Sequence, residues 1–338
     1  MPGAGPNNSP GETGRPLRRQ TVGVRAGPVV SAPVQAALAE GRPVVALEST
    51  VFSRLGLPDP AGRQALSRSL DALAGGGAVA ALTVVLDGVA RVGVDDSEFD
   101  RVFAADRKVA ERDVPVAVAQ GWAAAATTVS ASVALAAAAG VTVFATGGIG
   151  GVHRDWSETG DESADLMALA RHPLVTVCAG AKSFLDLPRT LERLETLGVP
   201  VLGLDTDDGQ FPAFWSRRSG LPVPQAVTSP AEVAAVARAA RAVGYGGGVL
   251  VVTPVPKGAE IPFEELAPVI DAALTGAAAA GVTGGAVTPF VLDRIAAATG
   301  GRTVAANLAL VEHNASVAAA IAAALAREPA SGPAETGL

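Results

Sequence analysis

Cysteine, lysine and aromatic residues are all scarce in this chain, and each scarcity excludes something. The one cysteine, Cys178, rules out an internal disulfide and a cysteine-based zinc site. It agrees with a reducing, cytoplasmic setting. A net charge of -7 leaves no basic footprint for nucleic acid. No stretch approaches the about 20 uninterrupted apolar residues that a membrane span needs. The alanine-rich run at 318–325 is too short for one and reads as a core helix. Residues 1–27 are rich in Pro, Gly and Arg and lack the apolar segment of a signal peptide, so a disordered tail is expected there, and another at 327–338.

The lysine shortage is the informative one. Of 26 basic residues only three are lysine (Lys108, Lys182 and Lys257), which leaves 23 arginines. A compositional bias towards Arg, Ala and Gly would replace lysine wherever a plain positive charge suffices. It cannot replace a lysine whose amine must lose its proton, because arginine stays charged. The surviving lysines are therefore candidates for chemistry.

What is abundant is apolar: 49% of 338 residues, enough for a sizeable core. Short apolar runs at 43–47, 114–119, 141–144, 174–178, 199–204 and 246–253 read as buried strands. Runs at 79–86 and 90–94 flank Asp87-Gly88, a hairpin signal. Between them, 61–74, 95–105, 187–197, 229–243, 263–280, 288–299 and 303–326 carry helical patterns. Strands alternate with helices and no linker interrupts 28–326. The expectation is a single large α/β domain, a layered α/β/α arrangement with a mostly parallel central sheet.

The chain is organised around 146–182. The apolar run before Thr146 ends in Gly147-Gly-Ile-Gly-Gly151, where glycines permit sharp turning and close approach to a ligand. Three carboxylates follow, Asp161, Glu162 and Asp165. The next apolar run ends in Ala179-Gly-Ala-Lys182. Both the glycine loop and Lys182 thus stand beyond carboxyl ends of strands, where open α/β sheets bind ligands. The loop is no Walker A, since no Gly-Lys-Ser/Thr follows, and no helix opens from it as a dinucleotide fingerprint requires.

The residues themselves leave several roles open. A lysine emerging from apolar neighbours has its charged form disfavoured, and a neutral amine can form an imine with a carbonyl-like carbon. Glu48, at the end of a buried strand, is a functional carboxylate or a cap. Asp161 and Asp165, four apart on a helix, would share a face and suit a hard cation such as Mg²⁺ or Mn²⁺, or simply favour a helix N-terminus. Thr127-Thr-Val-Ser130 opens a helix, as a phosphate site or a plain N-cap. His153 is a base, a phosphate donor or a satisfied loop residue. The aromatic cluster 211–215 is a core plug or a lid. Asn307 and Asn314 lie seven apart, nearly on one helical face, and buried amides there are costly unless paired, so both are expected to face a site.

Taken together the motifs resemble the pseudouridine-5′-phosphate glycosidase family, also called indigoidine-synthase-A-like. The resemblance rests on Ala46-Leu-Glu-Ser-Thr50, Lys108-Val-Ala-Glu-Arg-Asp-Val-Pro115, Ala126-Thr-Thr-Val-Ser130, the 146–155 loop, Ser163-Ala-Asp-Leu166 and Ala179-Gly-Ala-Lys-Ser183. It extends through Phe211-Pro-Ala-Phe214, Thr288-Pro-Phe290 and Ala306-Asn-Leu-Ala-Leu310, in order from about 30 to 326. It implies a C-glycosidase that interconverts pseudouridine 5′-phosphate plus water with uracil and ribose 5-phosphate. The bond to be cleaved joins C1′ to C5 of uracil, so the two-carboxylate scheme of ordinary glycosidases does not fit. A lysine that bonds C1′ as the ribose ring opens would let its nitrogen lone pair help expel uracil.

By this resemblance Lys182 matches the nucleophile and Glu48 the proton donor. Asp161 matches the ligand of one Mn²⁺ per subunit. Ser163, Ala164 and Asp165, with Lys108 and Val129, match substrate contacts. Thr127 and Thr128 are inferred at the 5′-phosphate and Asn307 near the ribose or phosphate. A homotrimer acting on small molecules, with neither nucleic acid nor membrane as partner, is implied. One departure stands out: the family's Ile-Ser-His-Gly-Met-Pro is here Val51-Phe-Ser-Arg-Leu-Gly-Leu-Pro58, with no histidine and with Arg54 nearby. The alternatives are another lysine-imine sugar-phosphate lyase of the aldolase kind, and a non-catalytic nucleotide-phosphate binding protein.

Overall fold

Eleven strands form one sheet in the computed structural model, which describes residues 27–327. The expected tails, 1–27 and 327–338, lie outside the described residues except for Gly27 and Arg327. The strands are β1 Val29–Val30, β2 Val44–Leu47, β3 Val79–Leu86, β4 Val89–Val92, β5 Lys108–Val109, β6 Ala124–Thr127, β7 Val143–Ala145, β8 Val175–Cys178, β9 Val201–Leu204, β10 Gln225–Val227 and β11 Val249–Val252. Their order is β1-β4-β3-β2-β7-β8-β11-β9-β10, with β6 branching from β3 and carrying β5. Only the pairings of β3 with β4 and with β6 are antiparallel. Strands β2, β7, β8, β9 and β11 are buried along their whole length. Covered by helices on both faces, they need no polar side, which is why they read as continuous apolar runs.

The hairpin falls where Asp87-Gly88 places it. Both residues take positive φ, 51° and 69°, the conformation a two-residue turn between twisted strands requires.

One element differs in kind. Residues Val114–Ala119, expected as a strand, form a helix, and the strand is Ala124–Thr127 instead. Pro115 sits in the helix's first turn, where its missing N–H costs nothing. The Asp113 carboxylate accepts from Ala110 N at 3.1 Å and shapes the entry. Three alanines carry no strand signal of their own. They become a strand because β3 and β5 flank them, with Val85, Val109, Ala117, Ala125 and Ala131 packed as a small separate core. The expected helix at 95–105 is a single tight turn, Asp96–Glu98, followed by the short helix Phe99–Phe103.

The last helix, Arg302–Ala326, has 25 residues and is long and apolar enough by length and composition to cross a membrane. Here it is a core element: Ala306, Leu310, Asn314, Ala315, Ala318, Ala319 and Ile321 are buried against the sheet and the helix Ala61–Gly75. Ala319 touches so closely that a Cβ on Gly76 would lie 2.6 Å from its own.

Candidate active site

The neighbouring parallel strands β2, β7 and β8 end side by side. In register, Leu47 is opposite Ala145, which is opposite Val177. The next residues, Glu48 and Thr146, are thereby brought together, and the turn after β8 delivers Lys182. Parallel pairing at about 4.8 Å between strands places side chains from three distant segments in one row.

Glu48 is 8% exposed, and its Oε1 accepts a hydrogen bond from the Thr146 hydroxyl. Burial raises its pKa from 4.5 to about 7, against the pull of Lys182, the Thr146 hydrogen bond and Lys108, while Asp165 pushes the same way as burial. Lys108, at the start of β5, is half-buried. Burial and Lys182 lower its pKa, opposed by Glu48 and Asp165. Lys182 donates from Nζ to the Gly148 carbonyl at 2.9 Å, so the glycine loop holds the amine.

The glycines of that loop act differently from the expectation. None of Gly147, Gly148, Gly150 and Gly151 has positive φ. Each is needed because protein atoms crowd it. A Cβ on Gly148 would lie 2.6 Å from the Phe214 ring, and one on Gly150 would collide with the Ser163 side chain. Sharp turning belongs instead to Gly180, at φ 88° beside the Pro212 carbonyl. The aromatic cluster is the plug against which the loop rests: Phe211, Phe214 and Trp215 are all buried.

The three carboxylates part company. The helix begins only at Ala164, capped by Ser163 Oγ, which accepts from Asp165 N at 3.2 Å. Asp161 therefore precedes the helix and shares no helical face with Asp165. Asp165 turns inward, 6% exposed, and its two oxygens accept from Ser130 N and Gly150 N, both at 2.9 Å. It binds the glycine loop to the start of the helix Val129–Ala138. Glu162 pairs with Arg193 at 2.8 Å. Asp161 faces His153, with 3.8 Å between Oδ2 and Nε2. The expected shared carboxylate site is thus taken apart by the helix starting three residues late.

The remaining expected contacts divide. Val129 is buried at the first helical position, Ser163 is half-buried and Ala164 exposed. Thr128 is the N-cap residue, with its hydroxyl 3.0 Å from Ser130 Oγ. Thr127 is not available to a phosphate. Its hydroxyl is fully buried and donates to the Thr83 carbonyl at 2.8 Å, and its N–H donates to Ser49 Oγ at 2.8 Å. It ties β6 to β3 and to the turn after β2. Asn307 is held by the aromatic cluster: its Oδ1 accepts from Trp215 Nε1 at 2.8 Å. It lines a cavity of about 280 Å³ with Arg54, Trp215, Asp293 and Thr303, so the departure at Arg54 and Asn307 meet in one space. Thr146 and Asn314 received no specific role from sequence. Asn314, an amide buried on an alanine-rich helix, was the available signal.

This geometry coincides with a known family. The profile of the family described as indigoidine synthase A like protein matches residues 33–324. The chain belongs to that family. A relative from Methylobacterium nodulans, named pseudouridine-5′-phosphate glycosidase, is 49% identical over 302 residues, which is 89% of this chain and 88% of the relative. A protein of the same name from Streptomyces griseus is 49% identical over 317 residues, 92% of this chain and 97% of its own. Among solved structures of the same fold, the prealnumycin C-glycosynthase AlnA in complex with ribulose 5-phosphate superposes with a TM-score of 0.81 at 35% identity, covering 90% of this chain and 98% of that one.

The indigoidine synthase A-like chain has limited means to hold a metal. Among the described residues no three His, Cys, Asp or Glu side chains converge. Asp161, a third exposed, and His153 offer two donors at most. That fits an ion that keeps most of its coordination for water and substrate, as Mg²⁺-like ions do, and not a caged one.

Proposed function

We propose that this chain is a C-glycosidase that reversibly cleaves pseudouridine 5′-phosphate with water to uracil and ribose 5-phosphate through a lysine imine. One observation carries the reading: the buried Glu48, with its pKa raised to about 7, stands at the strand ends from which Lys182 is delivered, and Lys108 at the start of β5 is near enough to act electrostatically on both. The family and the names of its members at 49% identity support it.

In the cleavage direction the Lys182 amine adds to C1′ as the C1′–O4′ bond breaks and O4′ takes a proton. The nitrogen lone pair then forms the iminium as the C1′–C5 bond breaks. The bond pair goes to uracil, whose C5 takes the proton from Glu48. Water hydrolyses the iminium, releasing ribose 5-phosphate and the free amine. A carboxyl with a pKa near neutrality is protonated often enough to donate and ionised often enough to take the proton back in synthesis. Lys108 supplies positive charge near the leaving base. Ser163, Ala164 and Val129, beside the Thr128 cap, are the proposed substrate contacts. Asp165 fixes the two backbone segments that form the floor.

One Mn²⁺ per subunit is proposed at Asp161 with His153 beside it, where it would offset the negative charge of the phosphate. A homotrimer in the cytoplasm completes the proposal. The Cys178 thiol is buried and pushed up to about 12, so it stays protonated and inert.

The test is absorbance-monitored conversion of pseudouridine 5′-phosphate with and without Mn²⁺, followed by borohydride trapping with ribose 5-phosphate and peptide mapping to Lys182. Uracil release with a trapped Lys182 is the expected result. Trapping without any use of uracil would favour an aldolase-like lyase or, in view of the AlnA likeness, C–C bond formation to another aromatic acceptor. Binding with neither would leave a nucleotide-phosphate binding protein.

A further inference from the structure

Asn314 stands in the middle of the last helix, 1% exposed, where an amide is costly to bury. Its Nδ2 donates to two consecutive carbonyls, Thr146 O at 2.7 Å and Gly147 O at 3.1 Å. Those carbonyls form the turn from β7 into the glycine loop. The same helix closes over the turn: a Cβ on Gly147 would lie 3.2 Å from Leu310 and 3.3 Å from Val311. The Thr146 hydroxyl, on the residue so anchored, donates to Glu48 Oε1. Three segments 98 and 168 residues apart in sequence thus meet in one chain of hydrogen bonds ending on the reactive carboxyl.

We propose that Asn314 and Thr146 form a positioning relay for Glu48: the Asn314 amide fixes the Thr146 main chain, and the Thr146 hydroxyl occupies Oε1, so that the transferable proton resides on Oε2. The proposal rests on the C-glycosidase reading above. Its chemistry is that of a hydroxyl with one hydrogen to give. Once that hydrogen is donated to Oε1, this oxygen is committed as an acceptor, and protonation of Glu48 falls to its partner oxygen. The groups that act on Glu48 besides Thr146 are Lys182, Asp165 and Lys108, and the variants below leave all three in place.

Removing a donor to the ionised form raises a carboxyl pKa. In Thr146→Val the basic limb of the cleavage profile and the acidic limb of the synthesis profile should therefore both move to higher pH. A loss of packing alone would lower the rates without moving the limbs. The rate kcat should fall about tenfold, part of the 10²–10⁴-fold that a positioned acid contributes, with little change in KM. Thr146→Ser, which keeps the hydroxyl, should restore the limbs and most of the rate. Asn314→Ala should move the limbs the same way but less, and should add nothing in the Thr146→Val background, because it acts through Thr146.

Unmoved limbs in Thr146→Val, or failure of Thr146→Ser to restore them, would overturn the relay. An additive effect of Asn314→Ala would overturn its first link. If Thr146→Val does not fold, Thr146→Ala against Thr146→Ser gives the same comparison. If the wild-type protein releases no uracil, the C-glycosidase reading fails by itself. The relay is then decided without substrate by NMR titration of the Glu48 carboxyl carbon, which should titrate higher in Thr146→Val; an unchanged titration would overturn it.

Discussion

Two clusters of buried charge lie at the carboxyl ends of this sheet, and they are unlike. At the ends of β9 and β11, Arg217 is 5% exposed, yet each of its guanidinium nitrogens donates a hydrogen bond. It forms a two-point pair with Asp207 at 2.7 and 2.8 Å and donates to the Val255 carbonyl at 2.7 Å, and its own N–H donates to Glu260. The pairing raises the Arg217 pKa and holds Asp207 below its usual range. Around the ends of β2, β7 and β8 and the start of β5 the opposite holds. Glu48 is raised and Lys108 is lowered, each chiefly by burial. The first cluster is saturated and locked in its charged state. The second holds groups whose charged forms are penalised, the condition that proton transfer near neutral pH asks of a carboxyl such as Glu48. Buried charge is common to both clusters; incomplete compensation is what sets the candidate site apart.

The contrast can be broken in four ways. The largest effect is expected from Lys182→Ala, which should abolish turnover, while Lys257→Ala, beside the saturated cluster, should leave uracil release within about twofold. Equal losses in the purified proteins would erase the distinction.

Next, Arg217→Ala should destabilise the protein by about 1–3 kcal/mol, because Asp207 loses its two-point partner and the Val255 carbonyl its donor. Denaturant titration would show this, with activity per folded molecule retained.

Third, Glu48→Gln should lose cleavage yet gain stability above neutrality. The Glu48 pKa is raised on folding, so its contribution to stability is fully present below about 4.5 and lost as pH rises through about 7. The difference between 4.5 and about 7 corresponds to about 3 kcal/mol at pH 8. Melting temperatures of wild type and variant should therefore cross or converge below pH 5 and separate at pH 8. Parallel curves would show that Glu48 is not penalised by burial.

The smallest effect is Gly148→Ala. The new methyl meets the Phe214 ring at 2.6 Å, an overpacking cost of about 1–3 kcal/mol. It should also loosen the carbonyl that holds Lys182 and slow imine trapping more than it lowers stability. Unchanged trapping would separate the loop from the amine.

Much of the frame was legible. Strands β2, β7, β8, β9 and β11 are buried on both faces, so their apolar runs had no competing explanation. The Asp87-Gly88 turn has one conformation that suits it. The strand β6 was not legible, because Ala124, Ala125 and Ala126 have no periodicity, and Val114–Ala119 has the β-branched residues but a proline suited to a first helical turn. The two- and three-residue strands β1, β5 and β10 are too short for any pattern. Of the candidate site, Glu48, Lys108 and Lys182 could be singled out in sequence because each stands out chemically from its surroundings. Thr127 was misjudged because nothing local shows that its hydroxyl is claimed by Thr83, 44 residues away.

By itself, the sequence determined which segments would be buried and which three lysines a strong arginine bias had spared, since burial pattern and residue type are properties of single positions. Only the tertiary structure decided that Asp161, Glu162 and Asp165 would go three separate ways, that Asn307 would belong to Trp215, and that Asn314 would reach Glu48 through Thr146. Those outcomes depend on which hydrogen-bonding groups lie within about 3 Å of one another, and strand order sets that distance.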